Sequence, residues 1–313
     1  MEFISKEKQY NIIGYRKLWY FISVILFISS VVVVGLWGLK LGIDFTGGSL
    51  VEIEFRENRP AIKDIEAAVP EALGKASVTP LGDRGMILRL QSLREDEHQQ
   101  LIKSFVEKFG QDKGEGYVEE RRFTSIGPTI GEELQQKAIW AIAAVLVAII
   151  LYIAWAFRRV SKPVPSWQYG IAAVIALFHD VFIPVGIFAV LGRFMNVEID
   201  TLFITALLTV LGFSVHDTIV VFDRIRENLL KPVENFAIVV NRSVNETLAR
   251  SINTSITTLL VLLTTLFLGG ETIRYFILTL VIGILFGTYS SIFIASPLLV
   301  SAHQWARRRR SAV

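Results

Sequence analysis

Six stretches of this chain carry almost no charge: Leu18–Gly38, Ala138–Phe157, Tyr169–Leu191, Thr201–Phe222, Ile252–Leu268 and Ile273–Val300. About 20 residues rising 1.5 Å each cross a hydrocarbon core of about 30 Å, and every backbone group inside hydrocarbon must be paired within its own segment. That feature commits the chain to a polytopic α-helical membrane protein with six transmembrane helices. It excludes an ordinary soluble enzyme and a disordered or fibrous chain. Average composition hides the pattern, since 52% of the 313 residues are apolar or aromatic and 19% are charged. The last stretch is longer than a bilayer needs, so it is expected to tilt or to bend near Pro297.

Lysine and arginine set the expected orientation. They crowd the N-terminus (Lys6, Lys8, Arg16, Lys17), the turn Arg158–Lys162, the loop Arg224–Arg250 and the tail Arg307–Arg310, whereas the opposite connections hold Arg193 and Arg274. The domain plan that follows is a cytoplasmic N-terminus 1–17, a first span 18–38, an extracytoplasmic domain 39–134, spans two to six over 135–300, and a basic cytoplasmic tail 301–313. The outer segment holds thirteen Lys+Arg against eighteen Asp+Glu, a net charge of −5, so the overall +3 leaves +8 for the rest. The basic residues thus read as contacts to anionic membrane lipid and not as a nucleic-acid surface. No cysteine is present and the four histidines lack paired ligand spacing, so neither a disulfide nor a metal site is expected.

Segment 39–134 alternates in type. Leu50–Phe55 reads as a strand, Pro60–Val69 as a helix, Ala76–Leu81 and Met86–Leu90 as strands joined at Gly82–Gly85, Arg94–Phe109 as a helix, and Tyr117–Phe123 as a strand. The order β-α-β-β-α-β predicts a small α+β ferredoxin-like domain. It contains no nucleophile–base set or phosphate loop, so a binding or moving module is expected and no enzyme. Two joints flank it. Asp44-Phe45-Thr46-Gly47-Gly48 leads out of the first span and Gly127-Pro128 leads into the second. Glycine frees the backbone and proline fixes it, which suits a hinge coupling domain to membrane, although sequence alone favours two tight turns at the membrane surface.

Ionisable residues inside the spans carry the most information. Asp180 lies mid-span beside His179, and Asp217 lies in Ser214-Val215-His216-Asp217-Thr218. An aspartate at the centre of a membrane helix costs roughly 2.5–3.5 kcal/mol, so each is expected to face protein or water. Ser214, Asp217 and Thr218 fall on one helical face, and Arg250 opens the polar start of the fifth span within reach of an ion pair with Asp217. Burial favours a neutral carboxyl and an adjacent arginine favours the carboxylate. A motion that brings Arg250 to Asp217 and withdraws it would take up and release protons. A proton crossing 100 mV carries about 2.3 kcal/mol, enough to bias a two-state element roughly fiftyfold. The bland alternative is a polar knot that holds helices together. Asp217, Arg250 and Asp180 are the expected proton relay, with His179, His216, Ser214 and Thr218 in support; Gly283 and Gly287 form a packing face.

These residues together resemble the SecF family of protein-export membrane subunits, relatives of the RND superfamily. The resemblance rests on Gly42-Ile43-Asp44-Phe45-Thr46-Gly47-Gly48, on Ala176–Val181, on Glu198-Ile199-Asp200, on the run Gly212–Asn228, and on Thr247–Ser251 with Thr254-Ser255. It implies half of a twelve-helix RND-type assembly, partnership with SecD, action beside the SecYEG channel after SecA, and pulling of an exported preprotein by proton motive force. It implies no cofactor beyond the coupling ion, protons with sodium as the alternative, and residence in the bacterial inner membrane. It also puts Asp217 and Arg250 at the positions of the family's relay pair, with His216 where asparagine or another polar residue is expected. Rival readings are an RND-type exporter of small or lipophilic molecules, a non-transporting scaffold, and an intramembrane aspartyl protease built on Asp180 and Asp217.

Overall fold

The computed structural model describes residues 9–110, 113, 116–158, 164–230 and 235–311. Lys6, Lys8, Arg159 and Lys162, counted above among the basic stretches, lie outside them, as does the end of the basic tail at 312–313. In chain order the elements are α1 (Arg16–Trp37), α2 (Ile43–Thr46), β1 (Gly48–Phe55), α3 (Ile62–Glu66), β2 (Ser77–Leu81), β3 (Gly85–Leu90), α4 (Glu95–Gly110), β4 (Val118–Ile126), α5 (Pro128–Ala156), α6 (Ser166–Met195), α7 (Thr201–Asn228), α8 (Phe236–Leu268), α9 (Arg274–Ser290) and α10 (Ser296–Ser311). Among the described residues six helical stretches are long and apolar enough to span a membrane: α1, α5, α6, α7, α8 and the run from α9 into α10. This is a six-span membrane protein with a small β-containing domain.

Several helices outrun their apolar cores. The stretch Arg224–Arg250, expected as a loop, is helical on both sides: α7 continues to Asn228 and α8 begins at Phe236. The reason is amphipathicity, because Phe236, Val239, Val240, Val244 and Leu248 are buried while polar residues occupy the other face. In the sixth span α9 passes into one turn of π-helix, Ser291–Ala295, just before Pro297. Proline lacks the N–H that an α-turn needs, and the π turn precedes it.

The chain divides into two compact units. Within the apolar windows of the spans, about half of the residues of α6, α7 and the sixth span are buried, whereas few of those of α1, α5 and α8 are. Small residues allow the close packing. A Cβ added at Gly283 would lie 2.2 Å from Val210, and one at Gly287 would lie 3.0 Å from Ser214, so the expected glycine face of α9 packs against α7. Phe157 stacks on Tyr169, and Phe222 meets Tyr169 edge-on at 5.2 Å.

The second unit comprises residues 41–140 together with 198–201. Its antiparallel sheet has the order β2-β3-β1-β4, the split arrangement anticipated from the element order. Alternation on β1 and β3 buries Val51, Ile53, Phe55, Met86 and Leu88 under Ile65 of α3 and Leu101 and Phe105 of α4. Pro80 sits on the edge strand β2 and exposed Glu119, Arg121 and Arg122 on the edge strand β4, residues that discourage further pairing.

Candidate functional site

Asp180 stands at the middle of α6 with no solvent exposure. Three side chains converge on it. The Ser214 hydroxyl from α7 and the Ser290 hydroxyl from α9 each lie 2.6 Å from its Oδ2. His179 Nδ1 lies 3.0 Å from its Oδ1. The carboxyl therefore joins three helices at once, and among the described residues no lysine or arginine takes part. Next to it, Thr218 Oγ1 and Ser291 Oγ are 2.8 Å apart.

Asp217 is placed differently. It is 8% exposed, and its Oδ1 accepts a 2.5 Å hydrogen bond from Ser251 of α8. Its Oδ2 is buried without a hydrogen-bond partner. The expected ion pair with Arg250 is not formed in this structure: Ser251 takes the position facing Asp217 and Arg250 is exposed. Successive helical residues point about 100° apart, so only one of the two can face α7. Ser214, Asp217 and Thr218 are all buried on one face of α7, as their spacing predicts, but they take different partners. Ser214 serves Asp180, Thr218 serves Ser291, and Asp217 turns to α8. His216 is exposed, whereas His179 is buried with its Nε2 unpaired. Because α7 runs on to Asn228, Asp217 lies about three turns from its end.

Sequence reasoning assigned no role to Ser251, Ser290 or Ser291. Serines in an apolar helix also bond to their own backbone, as Ser290 and Ser291 do to the Gly287 carbonyl. The one local signal was their position beside the Gly283–Gly287 face.

The two joints meet within the second unit. Asp44 Oδ2 accepts from the backbone N–H of Thr201 at 2.9 Å and from its hydroxyl at 2.6 Å, which caps the first turn of α7. Gly42 N–H donates to the Ile199 carbonyl, and Leu41 and Ile199 form a parallel bridge. Glu198 is 2.7 Å from Arg89 of β3, both largely buried. Phe45 is buried, and the Thr46 hydroxyl bonds back to the Gly42 carbonyl. Gly47 has φ +71°, and a Cβ there would lie 2.8 Å from the Cα of Pro128; Gly48 has φ +130°. Gly127 accepts from the N–H groups of Ile130 and Gly131 at the start of α5. Among the described residues no group of three or more His, Asp or Glu is placed to hold a metal ion.

Residues 106–305 match the family described as protein export membrane protein SecD/SecF, C-terminal, and residues 38–58 match the SecD/SecF GG motif. The protein translocase subunit SecF of Thermobaculum terrenum is 47% identical over 308 residues, 93% of each chain. This chain belongs to the SecF family. The SecF of Anaerolinea thermophila is 39% identical over 295 residues, again 93% of each chain. Among solved structures, the crystal structure of Thermus thermophilus SecDF, a translocon-associated membrane protein, superposes with a TM-score of 0.81 at 34% identity. The match covers 96% of this SecF-family chain and 39% of the SecDF chain. The GG motif of the family is the segment that here caps α7 through Asp44 and packs Gly47 on Pro128.

Proposed function

We propose that this chain is a proton-motive-force-driven accessory subunit of the Sec protein translocase, working with SecD beside the SecYEG channel after SecA-driven insertion. The observation that carries the reading is Asp217: a carboxyl buried among the spans with one oxygen held by Ser251 and the other unpaired. An incompletely satisfied buried carboxyl is poised to change partner or protonation. In the proposed cycle Arg250, one residue from Ser251, exchanges with it opposite Asp217. The coupling ion is the proton, with sodium as the alternative. Asp180 holds α6, α7 and α9 in register and contributes a second buried acid.

The asymmetry of basic residues supports placing both termini in the cytoplasm of a bacterial inner membrane, with 39–134 outside and the basic stretches near anionic lipid. The segment Asp44–Gly48 with Gly127 and Pro128 acts in this scheme as the coupling joint, since Asp44 caps the helix that carries Asp217. A moving outer domain would then bear on the exported preprotein. No nucleic acid takes part.

Translocation of a secretory protein into vesicles holding the channel, SecD and this chain tests the reading. A proton gradient is applied after ATP is exhausted, and complex assembly is measured in parallel. Asp217→Asn should stall gradient-driven export while the complex stays assembled. Export that proceeds unchanged would make the carboxyl a structural element of a scaffold.

A further inference from the structure

The hydroxyls around Asp180 do more than bury a carboxyl, as a count of protons shows. Ser290 Oγ lies 2.6 Å from Asp180 Oδ2 and 3.1 Å from the Gly287 carbonyl oxygen. A serine has one proton to donate, so it serves one of these acceptors at a time. With a carboxylate, the Ser290 proton points at Oδ2 and the contact to Gly287 stands idle. With a carboxyl protonated on Oδ2, the acid donates to Ser290, and the serine proton turns to the Gly287 carbonyl. Ser214 donates to Oδ2 and His179 Nδ1–H to Oδ1 in both states. Arrival of the proton breaks no hydrogen bond and makes one.

The imidazole is the wrong place for that proton. His179 Nε2 is buried with no partner, and the ring lies beside Phe286 and Tyr289. An imidazolium would leave an unpaired N–H there, at the full cost of desolvation. The groups facing Asp180 are His179 from its own helix, Ser214 from α7 and Ser290 from α9, so among the described residues no lysine or arginine offsets a carboxylate.

We propose that the Asp180 cluster is a proton-binding site separate from Asp217, in which the Ser290 hydroxyl reverses between the carboxyl and the Gly287 carbonyl as the proton arrives and leaves. The Gly287 carbonyl already accepts the Ser291 N–H and, at 2.9 Å, the Ser291 hydroxyl. It stands where α9 passes into the π turn Ser291–Ala295, and such turns concentrate at functional sites. Loading the proton turns the Ser290 hydroxyl onto the carbonyl that anchors this joint, in competition with the Ser291 hydroxyl. Ser291 in turn touches Thr218, the residue after Asp217. Use of the site in an export cycle rests on the function proposed above; its occupancy by a proton does not.

Infrared spectroscopy of the full-length protein in lipid nanodiscs at neutral pH tests it, since exposed carboxyls are ionised there. A protonated-carboxyl C=O band that shifts in heavy water should persist in Asp217→Asn; in that background it should vanish on adding Asp180→Asn and move in frequency on adding Ser290→Ala. Loss of the band in Asp217→Asn alone, or a band unchanged by either added substitution, overturns the proposal. Should Asp180→Asn fail to fold, Ser290→Ala decides alone by the same criterion. The two proposals fail separately: intact gradient-driven export in Asp217→Asn overturns the function without touching the band.

Discussion

Two aspartates sit in the middle of neighbouring spans and live in opposite circumstances. Asp180 has no exposure and three donors from three helix positions, whereas Asp217 has one donor and one bare oxygen. Both avoid lipid, as the cost of a carboxyl in hydrocarbon requires. The difference teaches what a buried acid can be used for. A fully satisfied carboxyl holds its neighbours in place and changes state only by rearranging protons among fixed partners. A half-satisfied one is ready for a new partner, and Arg250 waits exposed one residue from Ser251.

The sharpest way to break that comparison is to neutralise each acid in turn. Asp217→Asn should bring gradient-driven export down to its level without a gradient, with assembly unchanged. Asp180→Asn should act first on stability, lowering the denaturant midpoint of the full chain by an amount worth about 1–3 kcal/mol, because an amide cannot reproduce the carboxyl's bonds to two serines. Equal effects from the two variants in both measurements would erase the distinction.

Packing around the two acids gives the next test. Gly283 approaches Val210 so closely that Gly283→Ala should cost about 1–3 kcal/mol of stability through overpacking. Gly212, on the same α7 helix, has nothing within 4 Å of an added Cβ, so Gly212→Ala should be near neutral or slightly stabilising in the same assay. A smaller loss is expected at the coupling joint. Asp44→Ala removes the cap on Thr201 and should cost about 0.5–2 kcal/mol, with Asp44→Asn recovering much of it.

The outer domain supplies the mildest contrast, an exposed acid beside the buried ones. A hydrogen bond from Lys113 holds the Glu57 carboxyl below its ordinary range, and the same pairing together with Tyr117 pushes the Lys113 ammonium up to about 12. The pair is intact between these limits. Its contribution is lost as pH falls through the Glu57 titration, and lost again as pH rises through about 12. Lys113→Met should return Glu57 to the titration range of an ordinary glutamate, read by carbon-13 NMR of the labelled full-length protein.

Six spans and the β-α-β-β-α-β order were legible from sequence because each rests on a local period: an unbroken apolar run, an alternation of two, a recurrence near 3.6. The two acids were legible because a charge in a membrane helix stands out against its surroundings. Amphipathic extensions such as Phe236–Arg250 were missed, since a window that averages hydropathy sees their polar face as loop. Reach and the family resemblance both put Arg250 beside Asp217, whereas the helical phase that turns Ser251 inward instead depends on how α8 packs.

What the amino-acid order determined by itself is the number of spans, the domain between the first two, and the presence of buried carboxyls, all consequences of solvation along short stretches of chain. Only the tertiary structure decided which groups meet those carboxyls. Ser290 lies 110 positions from Asp180, and Thr201 lies 157 from Asp44. It also drew residues 198–201 into the outer domain through Arg89 and the backbone of Leu41 and Gly42. A hydrogen bond acts over about 3 Å and ignores sequence separation. A serine in an apolar helix therefore looks alike whether it bonds its own backbone or holds a proton site together.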